Sequence, residues 1–435
     1  MRIQDLYQLF RQHPSVSTDT RNIRTGSLFF ALKGVNFNGN VFAAQSLELG
    51  AEYAIIDEVA FDKGQRYILV DDVLATLQEL ARYHRQQLEI PVVGVTGTNG
   101  KTTTKELLHA VLSQKFKTFA THGNLNNHIG VPLSLLTVDD SYEIAIIEMG
   151  ANHVGEIASL CNIAQPTHGL ITNVGKAHLE GFGSFEGVKK AKGELYDYLQ
   201  KHRGTLFLQG NNRHLMEMAG TRKISWIITY GLSALNDVFA KLVAADPYLS
   251  IAWGTRTKRD NRDVKFEVRT NLTGSYNLEN FLAAIAVGLH FGVEAVDINR
   301  GIETYMPKNN RSQITKTSRN TVIADFYNAN ASSMSAALDN MYALDVPHKV
   351  VILGDMFELG DESYEEHGNI VFKAKGLGPD YLIFIGKEFY KHRDEEADFY
   401  ESAEEAKDAI SKISDSFILL KASRGMAFEK LLDVL

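Results

Sequence analysis

Eight consecutive residues, Thr96-Gly97-Thr98-Asn99-Gly100-Lys101-Thr102-Thr103, have the types and spacing to hold a polyphosphate. Gly97 and Gly100 let the backbone curl around phosphate oxygens. Loop amides and the start of a following helix offer partial positive charge. Lys101 can reach β- and γ-phosphates, and the Thr102 hydroxyl can ligate Mg²⁺. The spacing departs from the common phosphate loop, which places four residues between its glycines: position 95 is Val, and Gly94 lies one residue too early. The tighter Thr-Gly-Thr-Asn-Gly-Lys-Thr form remains. A chance Gly-Lys-Thr at a helix start is the competing reading. The flanks weigh against it, because residues 92–96 form a β-branched run and Leu107, Leu108, Val111 and Leu112 recur at helical spacing.

Two more residues are candidates for cation chemistry. Glu148 closes the apolar run 144–148, and a parallel strand beside the loop would bring its carboxylate to a loop-bound cation. His178 follows Thr172-Asn173-Val174-Gly175-Lys176-Ala177. A lone histidine is usually structural. Its place past a strand end, where sites of open α/β sheets gather, favours a ligand role here.

Such residues need parallel sheets to position them. The chain reads as three blocks, 1–89, 90–308 and 309–435. The first mixes short apolar runs (27–32, 53–56, 67–70) with a helical stretch at 73–87, which predicts a small α/β domain. The second places strands at 92–96, 144–148, 169–173 and 204–208, several of them separated by helical patterns, which predicts a mostly parallel sheet. The third opens at the polar break Pro307-Lys308-Asn309-Asn310. Its strands at 322–325, 350–354, 382–386 and 417–421 alternate with helices at 332–344, 362–375 and 403–413, a second doubly wound unit.

Composition narrows the function classes. A chain of 435 residues exceeds one ordinary core, so two or three domains are expected. A formal charge of -8 argues against a large basic face for nucleic acid. One cysteine, Cys161, excludes an intrachain disulfide framework and a cysteine metal cluster, and reads as a small buried hydrophobe. The first sixteen residues carry Arg2, Asp5, Arg11 and His13 and so lack a signal-peptide core. No run approaches the roughly 18–20 apolar residues of a membrane span. A cytoplasmic enzyme is expected, with no membrane insertion.

Taken in order, Thr98-Asn99-Gly100-Lys101-Thr102-Thr103, Glu148-Met149-Gly150 and Asn173-Val174-Gly175 with His178 resemble the Mur ligases, ATP-dependent amide ligases of bacterial cell-wall synthesis. The resemblance spans nearly the whole chain. Thr18-Asp19-Thr20-Arg21, with the Gly26–Gly34 run, looks like the family's UDP-binding segment. Three runs are similar to the branch that adds D-alanyl-D-alanine: Gly123-Asn124-Leu125-Asn126-Asn127-His128-Ile129-Gly130-Val131-Pro132, Asp325-Phe326-Tyr327-Asn328-Ala329-Asn330, and the run from Leu353 to Gly360 followed by His367. There are departures. Thr20 stands where serine is usual, Asn38-Gly39-Asn40 where Asp-Gly-His is common, Ala331 where proline is, and Ala422 where a glycine is. The Asp-Asn-Pro-Arg run of the diaminopimelate-adding ligases is absent.

The resemblance implies three α/β domains: a small UDP-binding domain, a central phosphate-loop ATPase domain and a Rossmann-like C-terminal domain. It implies ligation of D-Ala-D-Ala to a UDP-MurNAc-tripeptide through an acyl phosphate, by a monomer. Gly97, Thr98, Asn99, Gly100, Lys101, Thr102 and Thr103 would hold ATP. Asn277 and Asn280 would lie near adenine, with an N-cap as the competing role for Asn277. Arg311 would approach the phosphates and Asp325 the ribose, once the third domain closes. Thr102 and Glu148 would serve one Mg²⁺, and His178 a second. The pattern places a CO₂-derived carbamate on Lys192, which would also serve the metal. Three lysines in four residues suggest a solvated helix face instead, but the register with Ala191 and Leu195-Tyr196 singles out Lys192. Thr18, Asp19, Thr20, Arg21, Asn126, Asn127, Tyr327, Asn328 and Asn330 would contact substrates. A folylpolyglutamate synthetase-like ligase shares the central chemistry without the N-terminal block, and a single-amino-acid Mur ligase is the other alternative.

Overall fold

The computed structural model describes residues 1–435 except 178, 257–265 and 309, and the side chain of 179. Among the described residues the strands form three main sheets and one short hairpin, Lys33–Gly34 with Phe37–Asn38. The first sheet is parallel and four-stranded, in the order Val16–Ser17, Leu28–Phe30, Tyr53–Ile56, Tyr67–Leu69. Alternation sends Phe29, Ala54 and Ile56 toward Ala43 and Ala51. Leu28, Phe30, Ile55 and Ile68 face the opposite way, onto helices Ile3–Gln12 and Val73–Gln87.

Helix Val73–Gln87 begins where the Asp72 carboxylate accepts from Ala75 N. It buries Val73, Leu77, Leu80, Ala81 and His84. Those residues belong to one apolar core that runs from Leu6 and Phe30 through Leu80 to Val92, Leu135 and Leu160. His84 stitches the same junction, because Tyr7 Oη lies 3.2 Å from its Nδ1 and Val138 O lies 2.7 Å from its Nε2. The first sheet and the second therefore share a hydrophobic interior.

The second sheet has nine strands. Val92–Thr96 lies inside it, between Ile144–Glu148 and His168–Ile171, parallel to both. All five of its residues are buried, which is why its sequence is β-branched except at Gly94. Val93, Val95 and Ile146 face helices Lys101–Leu112 and Leu278–His290. Val92, Ala145 and Ile147 face helices Glu156–Ala164 and Phe185–His202. The sheet departs from the sequence reading at one side, where Val238–Ala245, Leu249–Thr255 and Phe266–Arg269 extend it as an antiparallel ribbon.

The third sheet has six strands. Gln313–Lys316 is antiparallel at one edge and the rest are parallel. Helices Ala331–Ala343 and Ser363–Gly376 cover one face, and Ala403–Ile410 and Glu429–Leu432 the other. The expected helix over 403–413 stops at Ile410, and the expected strand over 382–386 runs one residue earlier, Tyr381–Ile385. Among the described residues no helix is long and apolar enough to cross a membrane.

Candidate active site

The parallel register places the chemistry. Val95 pairs with Glu148 and Thr96 with Ile171, so three strands end side by side at the phosphate loop. Gly97 has φ +143°, and a Cβ there would stand 2.0 Å from Thr172 Oγ1. Gly100 has φ +78°, and its Cβ would stand 2.7 Å from Asn280 Oδ1. No other residue fits either position without displacing a site group. The loop is pinned from behind. Thr172 Oγ1 donates to Asn99 O at 2.6 Å, Asn99 N donates to Asn173 Oδ1 at 2.9 Å, and Gly175 N donates to Thr98 Oγ1 at 3.0 Å.

Lys101 is folded onto this loop, with Nζ donating to Gly97 O at 2.7 Å and Thr98 O at 3.0 Å. Burial pulls its pKa down to about 8; the Glu148 charge opposes that shift and Arg311 adds to it. The loop carbonyls thus hold the ammonium in the position that an incoming phosphate would claim.

Glu148 is buried. Its Oε1 accepts from Thr102 Oγ1 at 3.2 Å and from Asn126 Nδ2 at 2.8 Å, while Oε2 has no hydrogen-bond partner among the described residues. A buried carboxylate oxygen left unpaired is costly, and a hard cation would satisfy it. The Thr102 hydroxyl beside it completes an oxygen donor set of the kind Mg²⁺ takes when phosphates and water supply the rest. Among the described residues no group of three or more His, Cys, Asp or Glu stands ready to hold a metal alone. His178 lies outside the described residues.

Lys192 sits behind the cavity wall on helix Phe185–His202, buried, with Nζ donating to Ala151 O at 3.2 Å. Burial lowers its pKa to about 7; the Lys101 charge adds to this and Glu156 and Glu194 oppose it. The solvated-face reading of this lysine therefore fails.

A cavity of about 830 Å³ runs over the loop and is walled on its far side by the third sheet's unit. Arg311, Asp325, Tyr327, Asn328 and Asn330 all line it, together with Asn126, Asn127, Asn277 and Asn280. Arg311 stacks on Tyr327, 3.8 Å from the ring centroid, and its buried Nε has no hydrogen-bond partner among the described residues. Asp325 pairs with the buried Lys421 at 2.7 Å and accepts from Ser312 N at 3.2 Å. Asn330 caps helix Ala331–Ala343 through a capping box with Ser333. Its Nδ2 also donates to Asn99 Oδ1 at 2.8 Å, and Asn99 Nδ2 donates to Ser332 Oγ at 2.8 Å. The third unit thus touches the phosphate loop itself.

Some nominated residues have other employment. Asn277 stands at a helix N-cap position without a side-chain capping bond; its Nδ2 donates to Thr273 O, and its Oδ1 accepts from Asn280. Asn127 Oδ1 accepts from Ile129 N and Gly130 N, which steadies the start of helix Gly130–Leu135. Thr18, Asp19, Thr20 and Arg21 do not line the cavity. Asp19 is held to about pKa 2 by Arg21, whose guanidinium and backbone N–H both reach its carboxylate. Asn40 is buried and bonded to Asn38 and Asp57, so the Asn38-Gly39-Asn40 departure builds a turn. Residues the motif reading left without a role include Asn173, Ser332, Glu279 and Lys421. Asn173 stood inside a recognised run, whereas Ser332 is recognisable only through its contact with Asn99.

A phosphate loop, an adjacent buried carboxylate and a second α/β unit closing over both define a nucleotide-using enzyme of several domains. Residues 95–288 match the Mur ligase middle domain, and residues 310–432 match the family described as "Mur ligase, glutamate ligase domain". The chain belongs to the Mur ligase family. It is 35% identical to the UDP-N-acetylmuramoyl-tripeptide--D-alanyl-D-alanine ligase of Bacillus subtilis, over 96% of this chain and 92% of that one. Among solved structures it resembles MurF from Acinetobacter baumannii, at TM-score 0.87 and 30% identity, covering 98% of this chain and 97% of that one. It also resembles the MurF ligase of Thermotoga maritima in complex with ADP, at TM-score 0.84 and 26% identity, covering 97% and 96%.

Proposed function

We propose that this chain joins D-Ala-D-Ala to UDP-MurNAc-tripeptide with hydrolysis of ATP to ADP and phosphate. The observation that carries this reading is one cavity shared by the phosphate loop, Glu148 and the Asp325–Asn330 run. A carboxylate of the tripeptide attacks the γ-phosphorus, ADP leaves, and an acyl phosphate results. The dipeptide amine attacks the acyl carbon, and the tetrahedral intermediate expels inorganic phosphate. Phosphoryl transfer of this kind needs positioning and charge neutralisation more than covalent chemistry.

The loop residues 97–103 hold the triphosphate, and Lys101 leaves its carbonyl partners to neutralise the β- and γ-oxygens. Arg311, with its unpaired Nε, takes a phosphate oxygen, and Asp325 takes the ribose. Thr102 and Glu148 would hold one Mg²⁺, and His178 with a carbamate on Lys192 a second; bound there, such ions would supply positive charge against the phosphates and the acceptor carboxylate. Thr18, Asp19, Thr20 and Arg21 contact the UDP end of the acceptor. Asn126, Asn127, Tyr327, Asn328 and Asn330 line the reacting end. Residues 1–89, 90–308 and 309–435 are the three working units of a cytoplasmic monomer that binds no nucleic acid.

Phosphate release should require both UDP-MurNAc-tripeptide and D-Ala-D-Ala. Equal rates with lysine or diaminopimelate and a UDP-dipeptide, or with a folyl substrate, would overturn the assignment. The carbamate has its own test. A lysine whose pKa is lowered to about 7 is an ammonium below that pH and a neutral, CO₂-reactive amine above it. Activity should therefore fall as pH drops through about 7, and bicarbonate should stimulate the enzyme at pH 8. Lys192→Ala should lose most activity, regain part of it with acetate, and ignore bicarbonate. An alanine variant of wild-type activity would remove the carbamate from the scheme.

A further inference from the structure

We infer that Glu279 selects the base of the nucleotide, by accepting a hydrogen bond from the 6-amino group of adenine. This rests on the ATP-dependent reading of the site. The phosphate loop fixes where the triphosphate lies. Glu148, Asn126 and Ala151 occupy one side of it, where the acyl acceptor must meet the γ-phosphate. The base must then extend the other way, into the corner of the cavity formed by Tyr276, Asn277, Glu279 and Asn280.

The hydrogen-bonding capacity of that corner is unevenly committed. Asn280 Oδ1 accepts from Thr104 Oγ1 at 3.0 Å, and its Nδ2 donates to Asn277 Oδ1 at 2.9 Å. Asn277 Nδ2 donates to Thr273 O at 2.7 Å. The two asparagines therefore lock one another. Glu279 is different. Its Oε1 accepts from Gln209 Nε2 at 2.8 Å, and Oε2 takes no hydrogen bond from any described residue.

The Gln209 amide cannot turn round, because its own oxygen accepts from Asn211 N and Asn212 N at the end of strand Thr205–Gln209. One carboxylate oxygen is thus clamped and the other is presented to the cavity. Burial raises the carboxyl pKa, and the Gln209 bond opposes that rise, so this is a partly dry acceptor.

A carboxylate can only accept. It suits the 6-amino group of adenine and opposes the 6-oxo group of hypoxanthine or guanine. Leaving such an acceptor unpaired, or facing another acceptor, is what gives polar pockets their discrimination.

The experiment measures amine-dependent phosphate release with ATP, ITP and purine riboside triphosphate, which lacks any 6-substituent. The wild-type chain should prefer ATP over ITP by about 100-fold in kcat/KM, with purine riboside triphosphate between them. In Glu279→Gln the amide can turn its NH₂ toward a 6-oxo group, so the ATP/ITP ratio should fall at least tenfold, through KM. A merely structural Glu279, steadying the helix start, would lower the melting temperature and leave the ratio unchanged; that result overturns the proposal. Equal use of ATP and purine riboside triphosphate by the wild type overturns it without any variant. Thermal-shift titration with the same nucleotides separates the two readings. An ATP-selective shift that depends on Glu279, with no ligation, would overturn the ligase reading and uphold the base contact.

Discussion

The central unit meets its two neighbours in opposite ways. Toward the N-terminus the junction is apolar, because helix Val73–Gln87 joins the first and second sheets in one continuous core. Toward the C-terminus no apolar core cluster of the described residues crosses: the third unit's clusters contain only residues from 314 onward. The contacts there are polar. Asn330 and Ser332 bond Asn99, Tyr276 Oη lies 2.8 Å from Ser312 Oγ, Asn340 Nδ2 donates to Thr273 Oγ1 at 3.2 Å, and Lys176 pairs with Glu366 at 2.9 Å. Separating an apolar junction exposes surface at roughly 25 cal/mol per Å². A polar junction exchanges its bonds for water at a net cost of about 1 kcal/mol each. Of the two junctions, the one to the third unit is therefore the less costly to separate.

Lys101→Ala removes the central unit's charge stabiliser and should reduce turnover by about 10³-fold, with the melting temperature held. Near-normal turnover in a folded variant would dismiss the phosphate role. Leu80→Ala, in the apolar junction, should cost about 2–5 kcal/mol of stability and unfold the first two units in one denaturant transition. Two separate transitions would show that the shared core is not cooperative.

Asn330→Ala, in the polar junction, should lower kcat/KM about tenfold while shifting stability by about 1 kcal/mol; equal activity would mean that the Asn99 contact is incidental. The acid limb of stability offers a finer test. Burial holds the His84 imidazole below its ordinary 6.5, so between the folded pKa and 6.5 the unfolded chain binds the extra proton. Stability should therefore fall as pH drops below 6.5, by at most about 1.4 kcal/mol per pH unit for one proton. A His84→Gln variant should flatten that limb. Lys176→Ala should weaken activity least, through a half-buried ion pair with Glu366 worth about 1 kcal/mol, and the deficit should shrink at high salt.

How much of this was legible in the sequence depended on how local the cause was. Strands Tyr53–Ile56, Val92–Thr96, Ile144–Glu148 and Phe417–Lys421 coincide with the runs read from residue pattern, because burial on both faces leaves uninterrupted apolar sequence. The antiparallel ribbon was missed. Val238–Ala245 is buried for three residues and exposed for four, with an irregular register between Leu242 and Ala244, so its pattern has no single period. At the site, the loop and Glu148 were readable because strand, loop and helix are neighbours in sequence. The turned-back Lys101, the Asn99–Asn330 contact and the clamped Glu279 join residues that only the fold brings together.

The shared core also sets the timing of synthesis. Helix Val73–Gln87 leaves the ribosome before its partners on the central unit exist, since that core reaches as far as Ala219. At about 5–20 residues per second, its apolar face waits roughly 7 to 26 seconds for the last of them. During that interval the nascent N-terminal segment displays Leu77, Leu80 and Ala81 to solvent and to any holdase within reach. The third unit carries no such debt to its predecessors, because its cores close among its own residues.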